Sequence, residues 1–168
     1  MAGVRDTHTY GASLEAVQAM FADADFVRAK YDGMGHRDID LLECTRTDDG
    51  LVIRSTRVVE VDLPGFAKRF IQPVNTMMQT DTWTAAADGG WTGTFDVDVQ
   101  GAPVHVSGTM RLTADGEAAC AHEVTMTTDV KVPLAGGKIR DWAEKNDVPR
   151  TLASEFAAGD AWLADHPG

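Results

Sequence analysis

The chain has 168 residues, of which 43% are hydrophobic and 24% charged, and 15 basic against 26 acidic side chains give a formal net charge of −11. This length suits one hydrophobic core and predicts a single domain over residues 1–168. The negative charge repels nucleic-acid phosphates and anionic lipid, and no stretch approaches the roughly 20 apolar residues of a membrane helix, so we expect neither a nucleic-acid partner nor stable membrane insertion.

The chain start and the cysteines bear on the compartment. Residues 1–6 contain no apolar signal core, which predicts a cytoplasmic protein. Cys44 and Cys120 lie far apart and lack the spacing of zinc ligands. We therefore expect two reduced thiols in the core rather than a disulfide or a metal site.

The first segments predict a strand and two helices. A strand near residues 5–10 precedes Ser13, a residue type that caps helix N-termini, and an apolar stripe begins at Leu14. A second short helix carries Tyr31 and ends at glycines. The chain therefore places two short helices directly after its first strand.

The middle of the chain is predicted to be mainly β. Residues 36–47 and 51–59 alternate about a glycine-containing turn, which predicts a hairpin. Residues 62–70 contain Pro, Gly and two aromatic residues and predict a loop that could cover an entrance. Four further strands at short spacing predict an antiparallel meander, and the alternation in 91–99 and 104–112 gives each strand one apolar face.

The last third predicts a long amphipathic helix from Lys138 almost to the C-terminus. Pro149 predicts a kink, or a new helix capped by Asn146 or Asp147. One helix that covers the apolar side of a sheet must cross its concave face. The sequence therefore predicts an α+β fold in which a curved antiparallel sheet wraps a C-terminal helix, with room between them for a ligand.

Short motifs, taken with this order of elements, carry a resemblance to a known family. They are LPGF at 63–66, QTDTW at 79–83, GAP at 101–103 with SGT at 107–109, and VPLAGGKI at 132–139. With them the chain resembles the START-like (SRPBCC) superfamily, which includes the birch-pollen-allergen-like proteins, and within it an uncharacterised actinobacterial branch. The resemblance implies the helix-grip fold and an apolar pocket that in relatives holds lipids, sterols, polyketides or plant hormones. It implies no catalytic set and no cofactor.

Candidate ligand-binding residues are those that strand parity or the helix stripe turns towards the pocket. Aromatic and methionine side chains form deformable apolar walls, although each alone is more often a core residue. The loop aromatic Phe66 would stand at the entrance. The predicted set is Phe66, Trp83, Phe95, Val97, Val106, Met110, His122, Val124, Met126, Trp142 and Phe156.

Three polar residues could give the pocket chemistry. His122 has inward parity and could orient a ligand, act as an acid or base, or be a neutral core histidine. Gln79 and Asp81 share the parity of Trp83 and face the pocket in one register of their strand, whereas the alternate residues do so in the other. A buried Asp81 needs a partner or a raised pKa, and a His122/Asp81 pair is the one dyad that the sequence supports.

The remaining motifs predict no metal, cofactor or assigned catalytic residue. The other histidines lack ligand spacing, and neither a nucleophile elbow nor a nucleotide-binding loop is present in the sequence. The predicted function is binding or transport of an apolar or amphipathic small molecule, lipid, polyketide or isoprenoid-like, by a monomer or homodimer. The alternatives are an enzyme of cyclase, aromatase or hydrolase type with His122 as acid/base, and a protein-interaction module with a filled core.

Overall fold

The computed structural model describes residues 3–167, and within them seven strands and four α-helical segments follow the predicted order. Met1 and Ala2, which belong to the segment used to predict location, and Gly168 lie outside the described residues. Over residues 3–167, no helix combines the length and apolarity needed to cross a bilayer. The strands are β1 Val4–Tyr10, β2 Arg37–Thr47, β3 Gly50–Glu60, β4 Val74–Ala85, β5 Trp91–Val99, β6 Val104–Ala114 and β7 Cys120–Val130, and the helices are α1 Leu14–Phe21, α2 Ala24–Gly33, α3 Gly136–Trp142 and α4 Val148–Asp165.

All seven strands form one antiparallel sheet in the order β1-β7-β6-β5-β4-β3-β2. The predicted hairpin pairs Thr47 with Gly50, and the predicted meander runs through β4, β5, β6 and β7. The edge strand β2 carries two register shifts, and Asp38 within the first has a φ of 50°. Such bulges keep an edge strand from pairing with other chains.

Both short helices are confirmed, and each has a side-chain cap. The hydroxyl of Ser13 accepts a hydrogen bond from the amide of Ala16 at 3.1 Å. A carboxylate oxygen of Asp23 accepts one from the amide of Asp25 at 2.8 Å. These bonds satisfy amides that a helix N-terminus leaves unpaired, and α1 begins where the sequence indicates.

The terminal helix passes Pro149 without a sharp break. A π-helical turn, Ala143–Asp147, joins α3 to α4 directly before the proline. Its wider turn accommodates a residue that cannot donate the normal helical bond. The predicted side-chain cap is wrong: Asp147 makes no capping bond, and the side chain of Asn146 donates instead from Nδ2 to the carbonyl of Trp142 at 2.9 Å.

The buried residues form two clusters. The larger fills the space between α1, α2, α4 and the sheet, and it includes Cys120, which like Cys44 is a free thiol. The smaller lies under the 62–70 loop and joins Leu63, Ala67 and Ile71 to Ile139 of α3. Residues of both clusters border the hollow described next.

Candidate ligand-binding cavity

A cavity of about 800 Å³ lies between the concave face of the sheet and the terminal helix. This volume is within the range of small-molecule sites, roughly 300–1,000 Å³. Inward-facing residues around it are only half-buried although they lie on the core side of the sheet, because they border the hollow; examples are Met77, Val104, Val106, Met126 and Val130. A cavity therefore occupies the space between sheet and helix that would be solidly packed in a protein-interaction module with a filled core.

The apolar wall of the cavity comes mainly from the sheet. Strands β5, β6 and β7 turn alternate residues inward, as their parity predicts, and Trp142 approaches from α3. The predicted residues that line the cavity are Phe95, Val97, Val106, Met110, Val124, Met126 and Trp142.

Four predicted residues lie outside this lining. Trp83, His122 and Phe156 are buried in the larger core cluster, where the imidazole of His122 lies between the other two rings at centroid distances of 6.0 and 5.5 Å. Phe66 instead lies on a shallow outer surface beneath Lys138. Strand parity identifies the face of the sheet on which a side chain lies, but not its position along the strand relative to the cavity. Trp83 and His122 therefore point inward at positions where the core is filled.

His122 is a core histidine. Its Nδ1 is 3.5 Å from the hydroxyl of Tyr10, and its Nε2 has no hydrogen-bond partner within residues 3–167. Burial lowers the pKa of His122 to about 4, so the ring is neutral at pH 7 and poorly matched to acid–base catalysis there. Among the described side chains, no hydrogen bond or ion pair joins it to Asp81, and the predicted dyad does not form.

Gln79 and Asp81 do face the cavity and end a chain of hydrogen bonds. Arg57 donates from Nε to Nδ1 of His36 at 3.0 Å and from Nη2 to Oε1 of Gln79 at 2.8 Å. Gln79 in turn donates from Nε2 to Oδ1 of Asp81 at 2.7 Å. All four side chains line the cavity, which therefore has one strongly polar end.

Two buried donors at this end are unpaired. The guanidinium of Arg57 lies 3.9 Å from the centre of the Tyr31 ring. Its Nη1 and the Tyr31 hydroxyl have no hydrogen-bond partner in the part of the chain that is described. An unsatisfied buried polar group costs about 1–3 kcal/mol, so an oxygen acceptor from a ligand that reached either donor would be stabilised.

A third unpaired group lies at the far side of the cavity. Thr128 on β7 is 3% exposed, lines the cavity, and its hydroxyl lacks a partner among the described residues. Three strands separate it from Arg57 on β3, a path of roughly 19 Å along the sheet at about 4.8 Å per strand. Unpaired polar atoms thus lie at both ends of the apolar wall, those of Arg57 and Tyr31 at one end and that of Thr128 at the other.

A buried ion pair supports the polar end. Nζ of Lys30 is 3.4 Å from Oε1 of Glu155, and the two side chains are 4% and 22% exposed. Burial acts to lower the pKa of Lys30, but Tyr31 and Glu155 raise it above its ordinary value. Burial acts to raise the pKa of Glu155, but Lys30 and His122 bring it below its ordinary value. Lys30 therefore stays charged and is not an amine nucleophile at neutral pH.

Burial also sets the protonation of the two ends of the hydrogen-bonded chain. It raises the pKa of Asp81, although Lys30 and the hydrogen bond from Gln79 oppose it. It also lowers the pKa of His36 to about 4, with a further contribution from Arg57. A neutral His36 keeps Nδ1 free to accept from Arg57. The polar end can therefore hold an anion or a carbonyl oxygen near the buried carboxyl group of Asp81.

Tyr31, Arg57 and Glu155 line the cavity but are not among the predicted ligand-binding residues. A signal for Arg57 was present, because it shares the parity of the apolar residues Ile53 and Val59 on β3. An arginine on an apolar face is costly unless it has partners inside, which marks it as a candidate pocket residue.

A separate polar cluster lies on the outer face of the sheet. His105 on β6 contacts Asp96 from Nε2 at 2.8 Å and Asp98 from Nδ1 at 2.9 Å, both on β5. Partial burial acts to lower the pKa of His105, but these hydrogen bonds raise it above its ordinary value. The cluster is an ion pair between neighbouring strands and takes no part in the cavity.

One family model matches almost the whole chain. A family model described as "Protein of unknown function (DUF2505)" matches residues 5–163. The sequence has no significant match among curated proteins.

Several solved structures share the fold. The chain is similar to a STAR-related lipid transfer protein from Xanthomonas axonopodis (TM-score 0.65, 16% identity, 95% of this chain and 84% of that one). It is also similar to the ZhuI aromatase/cyclase from Streptomyces sp. R1128 (0.60, 19%, 96% and 92%) and to norcoclaurine synthase from Thalictrum flavum (0.55, 13%, 97% and 86%). At these identities the likeness shows the fold alone, and it confirms the START-like architecture.

Proposed function

The chain belongs to the DUF2505 family of proteins of unknown function, and we propose that it binds an amphipathic small molecule between its sheet and its terminal helix. The observation that carries this proposal is a cavity of about 800 Å³ whose apolar wall ends at the buried, unpaired donors of Arg57 and Tyr31. Mostly apolar pockets with a few convergent polar groups are typical of small-molecule sites.

The lining indicates how such a ligand would lie. Its apolar body would pack on β5, β6 and β7, and an oxygen acceptor or anionic group would meet Arg57. Lipid, polyketide and isoprenoid-like compounds have this character. The STAR-related lipid transfer protein and the aromatase/cyclase share the fold, which supports the same classes of ligand for this chain. The ligand-contacting residues that we propose are Tyr31, Arg57, Gln79, Phe95, Val97, Val106, Met110, Val124, Met126 and Trp142.

Filling the cavity should block binding. Val106 is half-buried and points into the hollow, so Val106→Trp is expected to weaken binding of the fluorescent apolar probe N-phenyl-1-naphthylamine by about tenfold, or about 1.4 kcal/mol. The indole would occupy the space of the probe, which a fluorescence titration measures.

Ser107→Trp is the matched control for this test. Ser107 is the next residue of β6 and faces outward, paired with the exposed Asp96. The control variant should bind the probe like the wild type. Equal affinity of the two variants would place the probe outside the cavity and would remove the support for this site. Native mass spectrometry of protein from its own host would then identify any co-purifying compound.

The second candidate function is an enzyme that acts on a similar ligand. It is favoured by one observation, that Asp81 lines the cavity with a pKa raised by burial and is joined through Gln79 to the cation of Arg57. A carboxyl group so placed can transfer a proton while Arg57 stabilises charge on an oxygen. A carrier would release its co-purified compound unchanged, whereas an enzyme would convert it and lose that conversion, but not binding, in Asp81→Asn.

A further inference from the structure

Two loops meet beside the cavity and form one surface, which we call the tip. It consists of residues 65–70 and 131–138, and side chains of both loops border a shared shallow depression. Nζ of Lys138 lies 4.2 Å from the centre of the Phe66 ring and joins the two loops. Lys68 of the first loop also lines the cavity. The tip therefore lies at the edge of the proposed binding site.

The tip exposes apolar side chains at a conformational cost. Leu134 is 108% exposed and Phe70 is 43% exposed. Leu134 also has a φ of 67°, in the left-handed region that glycine adopts freely and leucine does not. Packing does not compensate for this cost, since the side chain is fully exposed. A leucine at this position is unfavourable for folding alone, which points to a role in contact with something else.

The tip is also basic in an acidic protein. Residues 65–70 and 131–138 contain no acidic residue, although the whole chain has 26. They carry Lys68, Arg69, Lys131 and Lys138, which are all exposed and form no ion pair within residues 3–167. Salt screens charges beyond a Debye length of about 8 Å at physiological ionic strength. The electrostatic interaction of the tip with a surface in close contact is therefore set by these cations. The net charge of −11, from which we expected repulsion of anionic lipid, acts from a greater distance and is screened.

We propose that the tip docks this protein on the surface of a bilayer that contains anionic phospholipid. Exposed apolar residues flanked by lysine and arginine match such a surface, since the apolar groups enter the interface while the cations meet phosphates. Tip-to-tip pairing of two copies would instead bring like charges together. Docking would be reversible, and it would hold the edge of the cavity against the membrane. The inference concerns the outer surface and does not require an occupied cavity.

Vesicle co-sedimentation tests this inference. Wild-type protein is expected to bind vesicles of phosphatidylcholine and phosphatidylglycerol in equal amounts about tenfold more tightly than vesicles of phosphatidylcholine alone, and to lose this preference at high salt. Leu134→Ser should weaken binding several-fold because it removes the exposed apolar group. The triple variant Lys68→Gln/Arg69→Gln/Lys138→Gln should weaken it by about tenfold or more.

Matched controls remove an exposed leucine and three positive charges elsewhere. Leu42→Ser removes a leucine that is 53% exposed on β2. The variant Arg28→Gln/Arg37→Gln/Arg54→Gln removes three charges from α2, β2 and β3. Both are expected to bind mixed vesicles like the wild type.

Three results would overturn the inference. They are absence of wild-type binding to mixed vesicles at low salt, equal losses in the tip and control variants, and a dimer in analytical ultracentrifugation that Leu134→Ser disrupts without any binding to vesicles. Titration with N-phenyl-1-naphthylamine separates this outcome from failure of the proposed function, because Leu134→Ser, which changes a residue outside the cavity lining, should lose docking and still bind the probe in the cavity.

Discussion

Lys30→Met is expected to lower the free energy of unfolding by about 3 kcal/mol at neutral pH. The substitution keeps the apolar stem of Lys30 but removes the cation that lies 3.4 Å from Glu155 and 4.6 Å from the centre of the Tyr31 ring. Glu155 would then be a largely buried carboxylate without a partner. We expect a loss near the low end of the range for broken buried pairs because the Glu155 side chain is still 22% exposed. Urea unfolding followed by tryptophan fluorescence measures it.

The double variant Lys30→Met/Glu155→Leu should recover most of this loss. Replacing both members of a buried ion pair by apolar residues of similar size is often neutral, whereas removing one member leaves an uncompensated charge. Arg28→Met is the control, because its pair with Asp25 is exposed and is expected to contribute less than about 1 kcal/mol. A Lys30→Met loss no larger than that of Arg28→Met would contradict a stabilising role for the buried pair.

The pH dependence of stability provides a second readout of Glu155. Its pKa in the folded protein lies below the ordinary value of 4.5, so the unfolded chain binds protons first as pH falls. The stabilisation is therefore present above pH 4.5 and is lost as pH falls through the folded pKa. His36 and His122 act in the same direction over a higher window, since burial lowers each pKa from 6.5 to about 4. As pH falls, the double variant should still lose the contribution of the two histidines to the free energy of unfolding. It should not show the loss that comes from Glu155.

The architecture of this protein is largely encoded in local patterns. Ser13 marks the start of α1 because its hydroxyl satisfies an exposed amide. Polar and apolar residues alternate in β5 and β6 because only one face of the sheet is exposed to water. Pro149 was harder to interpret. The sequence shows that a normal helical bond is missing there, but whether the helix breaks or inserts a π-helical turn depends on the packing of each half. The 62–70 loop and β7 pack on α3, whereas α1, α2 and β1 pack on α4.

The site was less predictable, for a physical reason. Gln79, Asp81 and Trp83 share one face of β4, yet the first two line the cavity while Trp83 is buried in the core. Parity cannot distinguish these positions, because the distance between sheet and helix varies along the strand. The unpaired donors of Arg57 and Tyr31 are likewise invisible in the sequence, since they become evident only when every neighbouring acceptor has been placed.

Arg57→Met is expected to weaken binding of the anionic probe 8-anilino-1-naphthalenesulfonate by about 30-fold, the loss of a hydrogen bond to a charged group. N-phenyl-1-naphthylamine has the same aromatic body without the sulfonate, and its affinity should change by less than about threefold. The reason is that Arg57 lines the cavity with a charged guanidinium whose Nη1 lacks a partner within residues 3–167, whereas the substitution leaves the apolar wall unaltered. Fluorescence titrations with both probes measure the difference.

Arg150→Gln is the matched control for charge at the cavity. Arg150 also lines the cavity, but its side chain is 63% exposed and pairs with Asp147, so water and salt screen its effect on a ligand. Its loss should change the affinity for either probe by less than about threefold.

The structural role of Arg57 can be separated from its role in binding. Arg57 lowers the pKa of His36, so the pKa of His36, followed by NMR, should rise in Arg57→Met if the polar end is otherwise intact. Arg57→Lys keeps the charge but not the planar fork that reaches His36 and Gln79 together, and it should restore only part of the sulfonate affinity. If both probes weaken equally in Arg57→Met, the arginine acts by holding the wall in place. A loss confined to the sulfonate identifies Arg57 as the group that receives the polar end of the ligand.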